Sequence, residues 1–479
     1  MMKFRWHNNP TILWILIGVT TLSVGAAAND SASEIVTEIL SDIREQTAVP
    51  AYSVAIVRDG QLVISSTVGE IDTENHIGAK PEHLFRLASV SKLMGATMLA
   101  LLVQQGALDP EAPISDYLAD LPEQYRDLTT LQLLTHTSGM PHYQARDALR
   151  GQTHYASAIE ALASVGDRAL LSTPGSSYLY SSHGYTILSA LHETVSGDRL
   201  VESVPEFVES LSGRSSPALE NHQRQDSLQS KLFDVGANGS TTLQPRDQSF
   251  SPFGTGFVST AVDLAHFGDA VLHSPRIDPE TRSLLFRPVR LSNGEKTGDY
   301  LYEVAFGWRV GKDTAGRTVY HHAGATQGAR SVLILYPEYG LSVVFLSNAA
   351  WTAGIERTGF ALASITLEDQ SRVMFDGQRD FTGSFDGREI SGALQCDKGS
   401  CRFSDRQGAL TEWLVRYSPH KEVQLDWPVV LVDGEGGPAL LIATTVGIVE
   451  LQRLIDPSKA DIFQAEISNG RKLVVQFSD

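Results

Sequence analysis

A serine and a lysine three residues apart are the pair whose types and spacing most directly suggest chemistry. Ser89 and Lys92 stand at the start of an apolar, helix-favouring run that continues to Val103. If Ser89 opens that helix, the two side chains share one face, about 5–6 Å apart at Cβ. Lys92 is the only charge between Arg86 and Asp109, in a helix apolar on nearly every side, so we expect it to be buried. Burial disfavours the ammonium form, and a lysine pushed toward neutrality beside a hydroxyl is a candidate general base next to a nucleophile.

The S-x-x-K pattern is weak evidence by itself, because a second copy occurs from Ser418 to Lys421. That copy contains Pro419 and has no apolar helix behind it, so we predict a surface loop there. For the first copy, the structural alternative is a serine that caps the helix and a lysine whose charged end reaches water. The stretch alone leaves both interpretations open.

A tyrosine and a histidine stand later in the chain at points where predicted elements begin or end. Tyr180 and Ser182 follow a Pro-Gly turn and precede an apolar helix predicted over Thr186–Val195. His322 ends a strand-like run. Taken alone, each has a structural explanation, as a packed aromatic, a helix cap or a strand end. A further histidine, His136, ends a short capped helix, and we assign it a structural role.

The elements that must position these side chains alternate between strands and buried helices. Periodicity predicts a helix over Ser33–Thr47, a hairpin turning at Asp59-Gly60, and a serine helix that stops near Gly106. The later elements are strands over Arg317–Ala323, Ala329–Tyr336 and Leu341–Asn348, a helix begun by Thr260 and Asp263, and a closing helix over Trp351–Leu367. This order predicts an α+β fold in which helices flank an antiparallel sheet.

Two regions have a different texture. The segment 202–251 is polar with weak periodicity, and we predict a long surface excursion or partial disorder. From Gly377, short alternating runs between Gly, Asp and Pro clusters predict a small all-β domain of sandwich or barrel type. The runs are Leu414–Tyr417, Val423–Trp427 and Leu440–Thr445. The two cysteines, Cys396 and Cys401, flank a predicted turn there and are a candidate disulfide.

The first residues have the pattern of a secretory signal. Lys3 and Arg5 precede an apolar core over Thr11–Leu22, and Ala26-Ala27-Ala28 supplies small residues for cleavage after Ala28. The alternative is an uncleaved membrane anchor, but the core is short for a span of about 20 residues. We therefore predict an exported protein, periplasmic or secreted, without a stable membrane span after cleavage.

Length and charge limit the remaining possibilities. A chain of 479 residues predicts more than one domain: a signal at 1–28, a main domain at 33–367 and a β domain at 377–479. The formal charge of −18 argues against nucleic acid or an anionic membrane surface as partner. The pattern does not indicate an oligomeric state.

With Ser89, Tyr180 and His322 in that order, the chain resembles the class C β-lactamase-related serine hydrolases, a family that includes penicillin-binding carboxypeptidases and esterases. The resemblance covers roughly 35–365, and some of its motifs are closest to the mitochondrial branch of the family. The motifs are FRLASVSK, LLTHTSGMPHY, TPGSSYLYSSHGYTILSA, GFVSTAVDLAHF and HHAGATQGARSVL. It implies a β-lactamase/transpeptidase-like fold, an acyl-enzyme mechanism and no cofactor or metal.

The resemblance also implies roles for individual residues. Ser89 and Lys92 match the nucleophile and base, and Tyr180 matches the tyrosine of Tyr-x-Asn. In the same motif Ser182 replaces the asparagine that helps hold the substrate carbonyl. The third motif, Lys-Thr-Gly or His-x-Gly, is matched by His322, Ala323 and Gly324. By position, the N–H groups of Ser89 and Ala325 would bind the oxyanion. These sites are catalytic Ser89, Lys92, Tyr180 and His322, and substrate-binding Ser182, Gly324 and Ala325.

A literal Lys296-Thr297-Gly298 competes for the third motif, but it follows a polar turn without paired strands behind it, so we favour the histidine copy. We predict a serine hydrolase for a small peptide, ester or amide, with weak or no β-lactamase activity because Ser182 is shorter than asparagine. The alternative is a catalytically idle protein that binds peptide or cell-wall fragments or serves as an assembly module.

Overall fold

The computed structural model describes residues 20–144, 151–221, 226–236, 238–351, 354–406, 408–416, 426–454, 461–467 and 470–478. The predicted signal sequence lies outside these ranges as far as residue 19, and so does the second S-x-x-K copy at Ser418–Lys421. The first helix, Thr20–Thr47, passes through the predicted cleavage point after Ala28. Within the described residues, no helix combines the length and apolar character that crossing a membrane requires.

The helices precede, separate and follow the strands along the chain. They are α1 (Thr20–Thr47), α2 (Ser91–Gln104), α3 (Thr130–Leu134), α4 (Ala158–Ala161), α5 (His183–Ser196), α6 (Leu200–Ser212), α7 (Pro252–Thr255), α8 (Ala261–His273), α9 (Pro279–Phe286), α10 (Ile355–Leu367) and α11 (Ala409–Val415). The strands of the first part are β1 (Ala51–Arg58), β2 (Gln61–Asp72), β3 (Ile77–Gly78), β4 (Phe85–Arg86), β5 (Ala218–Leu219), β6 (Leu232–Gly236), β7 (Gly239–Leu243), β8 (Phe257–Ser259), β9 (Tyr302–Val304), β10 (Arg309–Lys312), β11 (Thr318–Thr326), β12 (Ala329–Tyr336), β13 (Leu341–Ser347) and β14 (Ala349–Ala350). Those of the last part are β15 (Ser371–Arg372), β16 (Gly377–Phe385), β17 (Arg388–Asp397), β18 (Ser400–Asp405), β19 (Asp426–Asp433), β20 (Ala439–Thr444), β21 (Gly447–Arg453), β22 (Ile462–Glu466) and β23 (Lys472–Phe477).

An antiparallel sheet of eight strands organises the main domain, in the order β3-β2-β1-β13-β12-β11-β10-β9. Successive side chains of a strand point to opposite faces, so each face has its own core. In β12, Leu333 and Leu335 pack with the core that includes α2, α5 and α8, whereas Val332 and Ile334 pack with the core that includes α1 and α10. The predicted α+β architecture is confirmed.

The helix that follows Ser89 is buried in its first ten residues, Ser91–Ala100. Its apolar residues surround the helix axis, so that only the inside of the domain can accommodate them. It ends two residues before Gly106, whose φ of +71° provides the left-handed turn that a glycine adopts without strain.

The predicted surface excursion at 202–251 is wrong for its first part, because α6 is an amphipathic helix. Val204, Phe207, Val208 and Leu211 recur at helical spacing and are buried. Pro205 stands inside this helix and hides the pattern in the sequence. Further along, β6 and β7 form a hairpin, and β6 pairs in parallel with β14.

The C-terminal domain is a closed barrel, which resolves the two predicted alternatives. Strands β16 to β23 pair in sequence around the barrel, and the pairing of β19 with β20 closes it, while β15 adds to β19. Cys396 and Cys401 face each other across β17 and β18 and form a disulfide.

One strand predicted in this domain is wrong: Leu414 lies in helix α11, and the run ends outside the described residues. A carboxylate explains the helix, because Asp405 accepts hydrogen bonds from the backbone N–H groups of Gly408, Leu410 and Thr411. A carboxylate at a helix N-terminus satisfies N–H groups that have no partner within the helix. This arrangement depends on the end of β18 and is not visible in the alternating apolar pattern.

The barrel packs on the main domain through α1 and α10. Val430, Val432, Leu441 and Ile448 of the barrel belong to the same buried apolar cluster as both helices. Polar contacts involve both helices, and Glu38 of α1 pairs with Arg372 of β15 at 2.6 Å. The contacts of α10 include Arg357 to Glu466 (2.8 Å), the N–H of Ile448 to the Thr358 hydroxyl (3.3 Å) and Ser364 to Glu450 (2.6 Å). Barrel and main domain therefore share a core on the face of the sheet opposite α2.

Candidate active site

Ser89 lies in a single 3₁₀ turn, Ala88–Val90, directly before α2. Ala88 has a φ of +48°, a left-handed conformation that costs a non-glycine residue of order 1–3 kcal/mol. Two contacts from neighbouring strands hold the turn. The Ser331 hydroxyl donates to the Leu87 carbonyl at 2.5 Å. Gly324 of β11 lies so close that a Cβ there would be 2.2 Å from the same carbonyl. The turn is therefore fixed by β11 and β12.

Lys92 is fully buried and points at the serine. Its Nζ donates hydrogen bonds to Ser89 Oγ (3.3 Å), Ser182 Oγ (3.0 Å) and the Gly254 carbonyl (2.9 Å). Among the residues that the structure describes, no carboxylate forms an ion pair with it. Burial lowers the pKa of Lys92 below its usual 10.5, against the opposing effect of Tyr180. The side chain is thus shifted toward the neutral amine that a general base requires.

Tyr180 lies close to two basic side chains, Lys92 and Arg309. Its ring centroid is 5.1 Å from Lys92 Nζ and 5.9 Å from the guanidinium carbon of Arg309. Burial raises the pKa of Tyr180, but the Lys92 and Arg309 charges and hydrogen bonds with Lys92 and Ser89 outweigh it and lower the pKa below 10. The titrations of Tyr180 and Lys92 are therefore coupled, and because both pKa values are lowered, the pair loses a proton more readily.

Two histidines flank this tyrosine as neutral groups. His322 Nδ1 donates to the Ala323 carbonyl at 2.7 Å, since a carbonyl can only accept, and this leaves Nε2 as an acceptor. His136 Nδ1 accepts the Ser181 N–H at 3.1 Å, and its ring centroid is 4.3 Å from that of Tyr180. Burial, together with the nearby Arg309 and Lys92 charges, lowers the pKa of both histidines well below 6.5. The assignment of His136 to a structural role agrees with its packing against Tyr180.

Ser182 lies inside this group rather than facing open solvent. It is 1% exposed, and its hydroxyl accepts the hydrogen bond from Lys92. Its N–H donates to Nδ1 of the exposed His142 at 3.2 Å. In this position Ser182 is a hydrogen-bond partner of Lys92.

Ala325 is exposed near the end of β11, where the strand turns into β12 through Gln327 and Gly328. In a two-residue hairpin, the closing pair, here Thr326 and Ala329, exchanges hydrogen bonds. Opposed pairs alternate along the ladder, so the N–H of Ala325 points away from β12. On that side β10 pairs only as far as His321. The N–H of Ala325 therefore points to the free edge of β11, beside the Ser89 turn that Gly324 contacts.

The competing Lys296-Thr297-Gly298 sequence lies before β9, at the edge of the sheet. The Lys296 side chain is 75% exposed and pairs with Glu303 at 3.3 Å. Strand β10 separates β9 from β11. The histidine copy, by contrast, touches the Ser89 turn through Gly324.

Sequence reasoning missed Arg309. It lies on β10 opposite His321, with its side chain 13% exposed, and pairs with Glu356 of α10 at 3.5 Å. Its proximity to Tyr180 follows from strand pairing, and no local signal marks it in the sequence.

Thr260, assigned a structural role, accepts the Asp263 N–H at 2.9 Å and caps α8.

Within the described ranges, no group of three or more His, Cys, Asp or Glu residues is arranged to hold a metal ion. The polar groups gathered around Ser89 are instead a lysine, a tyrosine, two neutral histidines and an arginine. Together they can accept and return a proton at the serine hydroxyl.

The chain is similar to several known proteins. The family model described as Beta-lactamase matches residues 36–365. The serine beta-lactamase-like protein LACTB of Homo sapiens, described as mitochondrial, is 25% identical over 398 residues, covering 63% of this chain and 71% of that protein. Penicillin-binding protein 4* of Bacillus subtilis is 25% identical over 315 residues, covering 62% of this chain and 67% of that protein.

Among solved structures, the octameric penicillin-binding protein homologue from Pyrococcus abyssi has a TM-score of 0.58 at 17% identity. The superposition covers 92% of this chain and 99% of that one, so the shared fold extends beyond the main domain. The family match covers more than half of the chain and includes Ser89, Lys92, Tyr180 and His322, which confirms the resemblance inferred from the motifs. The chain therefore belongs to the Beta-lactamase family of serine hydrolases.

Proposed function

We propose that the protein is an exported hydrolase that forms an acyl-enzyme at Ser89 with a small peptide, ester or amide. The observation that carries this proposal is the buried Lys92, whose amine contacts Ser89 Oγ without a carboxylate partner among the described residues. A lysine with only a structural role gains nothing from such a position, because burying an unpaired charge is costly. A lowered pKa beside a nucleophile is useful for catalysis.

In acylation, Ser89 Oγ attacks the substrate carbonyl carbon while its proton passes to the Lys92–Tyr180 pair. The tetrahedral intermediate collapses when the bond to the leaving group breaks, and the pair returns the proton to that group. Water then attacks the acyl-enzyme by the same route and releases the acid and free Ser89. Proton transfer of this kind contributes roughly 10²–10⁴ in rate.

The negative oxygen of the intermediate requires two donors. The N–H of Ser89 lies at the N-terminal end of the helical segment that continues as α2, where unpaired N–H groups and the helix dipole favour negative charge. The N–H of Ala325, at the free edge of β11, is the second. Removing one such donor costs roughly 10²–10³ in kcat.

The placement of Ser182 supports a preference against β-lactams. Its hydroxyl contacts Lys92, and it lacks the amide that the corresponding asparagine offers to a substrate carbonyl. We expect ester or peptide hydrolysis to exceed nitrocefin turnover by orders of magnitude. Nitrocefin turnover as efficient as that of a dedicated β-lactamase would contradict this preference.

Covalent labelling tests the central claim. A fluorophosphonate probe should modify the folded protein at Ser89, as located by peptide mass spectrometry, and Ser89→Ala should abolish both the adduct and ester hydrolysis. Ser418→Ala is the matched control, because it removes the serine of the other S-x-x-K copy and should leave labelling unchanged. Folded protein without an adduct at Ser89 would refute the acyl-enzyme.

Export is supported by the charged start, the apolar core and the alanines at 26–28. Expression in a bacterium with fractionation should yield a periplasmic or secreted form whose N-terminus, read by mass spectrometry, follows Ala28. Recovery of the full-length chain in the membrane fraction would favour the anchored alternative.

A further inference from the structure

Titratable groups from several elements surround Tyr180 in the described site. These groups are Lys92 from α2, Tyr185 from α5, His136 after α3, His142, Tyr178, Arg309 from β10 and His322 from β11. Because Lys92 itself exchanges protons, the permanent charge in this group belongs to Arg309, which remains protonated in proteins.

The third motif does not provide that charge here. The lysine of a Lys-Thr-Gly motif would be a cation, whereas His322 is neutral, with Nδ1 donating to the Ala323 carbonyl. Arg309 lies on the next strand, opposite His321 and thus one residue from His322 in the register. A cation therefore reaches Tyr180 from β10 rather than from β11.

Arg309 is held in place on its other side. Its guanidinium carbon lies 4.3 Å from the ring centroid of Tyr302, and a nitrogen lies 3.5 Å from the Glu356 carboxylate. The Arg309 and Glu356 side chains are 13% and 23% exposed, so water screens their charges only partly. The contacts with Tyr302 and Glu356 fix the positive charge of Arg309 beside Tyr180.

We propose, on the basis of the proposed acyl-enzyme function, that Arg309 is a positioning residue whose charge keeps the Lys92–Tyr180 pair ready to accept the Ser89 proton. The pair is reactive only after losing one of the two protons that an ammonium and a phenol carry together. A neighbouring cation favours that loss, whichever member gives up the proton. Without the guanidinium, the reactive state forms only at higher pH.

This dependence on charge makes the inference separable from a structural role. Arg309 lowers the pKa of Tyr180, in which burial alone acts the other way, and adds to the lowering that burial imposes on Lys92. Loss of the Arg309 charge therefore moves the acid limb of the kcat/KM profile to higher pH and leaves the plateau at high pH nearly unchanged. A purely structural loss lowers activity by the same factor at every pH.

The experiment compares Arg309→Met with Arg309→Lys by the pH profile of kcat/KM for p-nitrophenyl butyrate. Arg309→Met should raise the acid-limb pKa by about one unit, which is about tenfold in activity below the limb, and approach wild type above it. Arg309→Lys keeps a charge and should remain close to wild type in its limb. An equal loss at all pH values, or the same shift in both variants, would overturn the proposal.

Arg317→Met is the matched control. Arg317 is also a partly buried arginine beside the sheet, paired with Asp313 and Glu368, and its guanidinium carbon lies 5.9 Å from the ring centroid of Tyr336. This is the same separation as between Arg309 and Tyr180, but the contact is not at Ser89. The control should lose stability and keep the wild-type limb. A limb shift in Arg317→Met would show that the effect is not specific to the site.

A second readout does not depend on turnover. The ultraviolet tyrosinate signal of Tyr180, isolated as the difference between each protein and its Tyr180→Phe counterpart, should appear at higher pH in Arg309→Met than in wild type. If wild type gives no Ser89 adduct, the proposed function fails while this titration still tests the influence of Arg309. An adduct with an unchanged Tyr180 titration refutes the role of Arg309 alone.

Discussion

Two buried cations flank the serine at similar distance along the chain, Arg86 three residues before and Lys92 three residues after Ser89. The side chain of Arg86 is 1% exposed and has a carboxylate, Glu220, at 2.9 Å, as well as the carbonyl of Arg246 at 2.7 Å. Lys92 is equally buried, but its partners are the hydroxyls of Ser89, Ser182 and Tyr180 and the Gly254 carbonyl.

The difference between them separates structural from chemical use of a buried charge. A carboxylate stabilises the charged form, so that Arg86 joins β4 to the segment around Glu220 as a permanent ion pair. Lys92 has no carboxylate partner among the described residues, so burial outweighs the opposing effect of Tyr180 and lowers the pKa of Lys92. The chain therefore keeps one cation fixed and leaves the other able to exchange its proton.

The largest effect that tests this contrast is on activity. Lys92→Met should lower kcat/KM for an activated ester by roughly 10³–10⁴, near the upper range for loss of a proton-transfer group. Folding should be retained, since an apolar side chain of similar length fills the site. Circular dichroism and labelling at Ser89 check both points, and a correctly folded Lys92→Met with near-wild-type activity would break the comparison.

The same variant has a signature in stability. Because the pKa of Lys92 is lowered in the folded state, the unfolded chain binds more protons between that pKa and the usual 10.5. Wild-type stability from this group is therefore least at low pH and rises as pH approaches 10.5. The free energy of unfolding of Lys92→Met relative to wild type should fall with rising pH, as urea unfolding at several pH values would show. A relative stability that rises with pH would contradict the lowered pKa.

The next effect is on folding rather than catalysis. Arg86→Met removes the guanidinium from a carboxylate whose side chain is 2% exposed, which should cost about 3–5 kcal/mol in the free energy of unfolding. The double variant Arg86→Met/Glu220→Leu should recover much of this loss. Arg388→Met, in an exposed pair with Glu412, is the control and should cost about 1 kcal/mol or less. An equal small cost at both sites would remove the distinction.

The smallest effect concerns the surroundings of Lys92. Ser182→Ala should lower ester hydrolysis by roughly fivefold, the value of one hydrogen bond of about 1 kcal/mol. Ser182→Asn should restore an amide and raise nitrocefin turnover relative to Ser182→Ala. Turnover that is the same in both variants would show that this position does not control β-lactam recognition.

Local sequence predicted the parts of this molecule that depend on neighbours in the chain. The apolar run after Ser89 predicted a buried helix and a buried Lys92, and both follow from periodicity. The motifs also placed Tyr180 and His322 in the family order, and the structure brings Tyr180 to Ser89 and His322 to Tyr180. By contrast, the sequence did not predict α6, because Pro205 interrupts its helical pattern. The burial of its apolar face in the structure reveals the helix.

Contacts between distant strands explain what the sequence could not predict. Arg309 approaches Tyr180 because β10 pairs with β11, and the local sequence around an arginine in a short strand does not indicate which residues lie near it in space. A barrel differs from a sandwich here by the single pairing of β19 with β20. The α11 helix depends on Asp405, at the end of a preceding strand. Each depends on a pairing or packing partner that alternation of apolar residues does not specify.

The first turn of α10 limits how this protein can be divided or recombined. Three consecutive residues serve different neighbours: Glu356 holds Arg309, while Arg357 and Thr358 hold the barrel. A change that adapts this turn to another C-terminal domain moves the backbone that carries Glu356. The barrel therefore cannot be exchanged for another domain without affecting the main domain. A shortened chain ending before Gly377 would expose the apolar surface of α10.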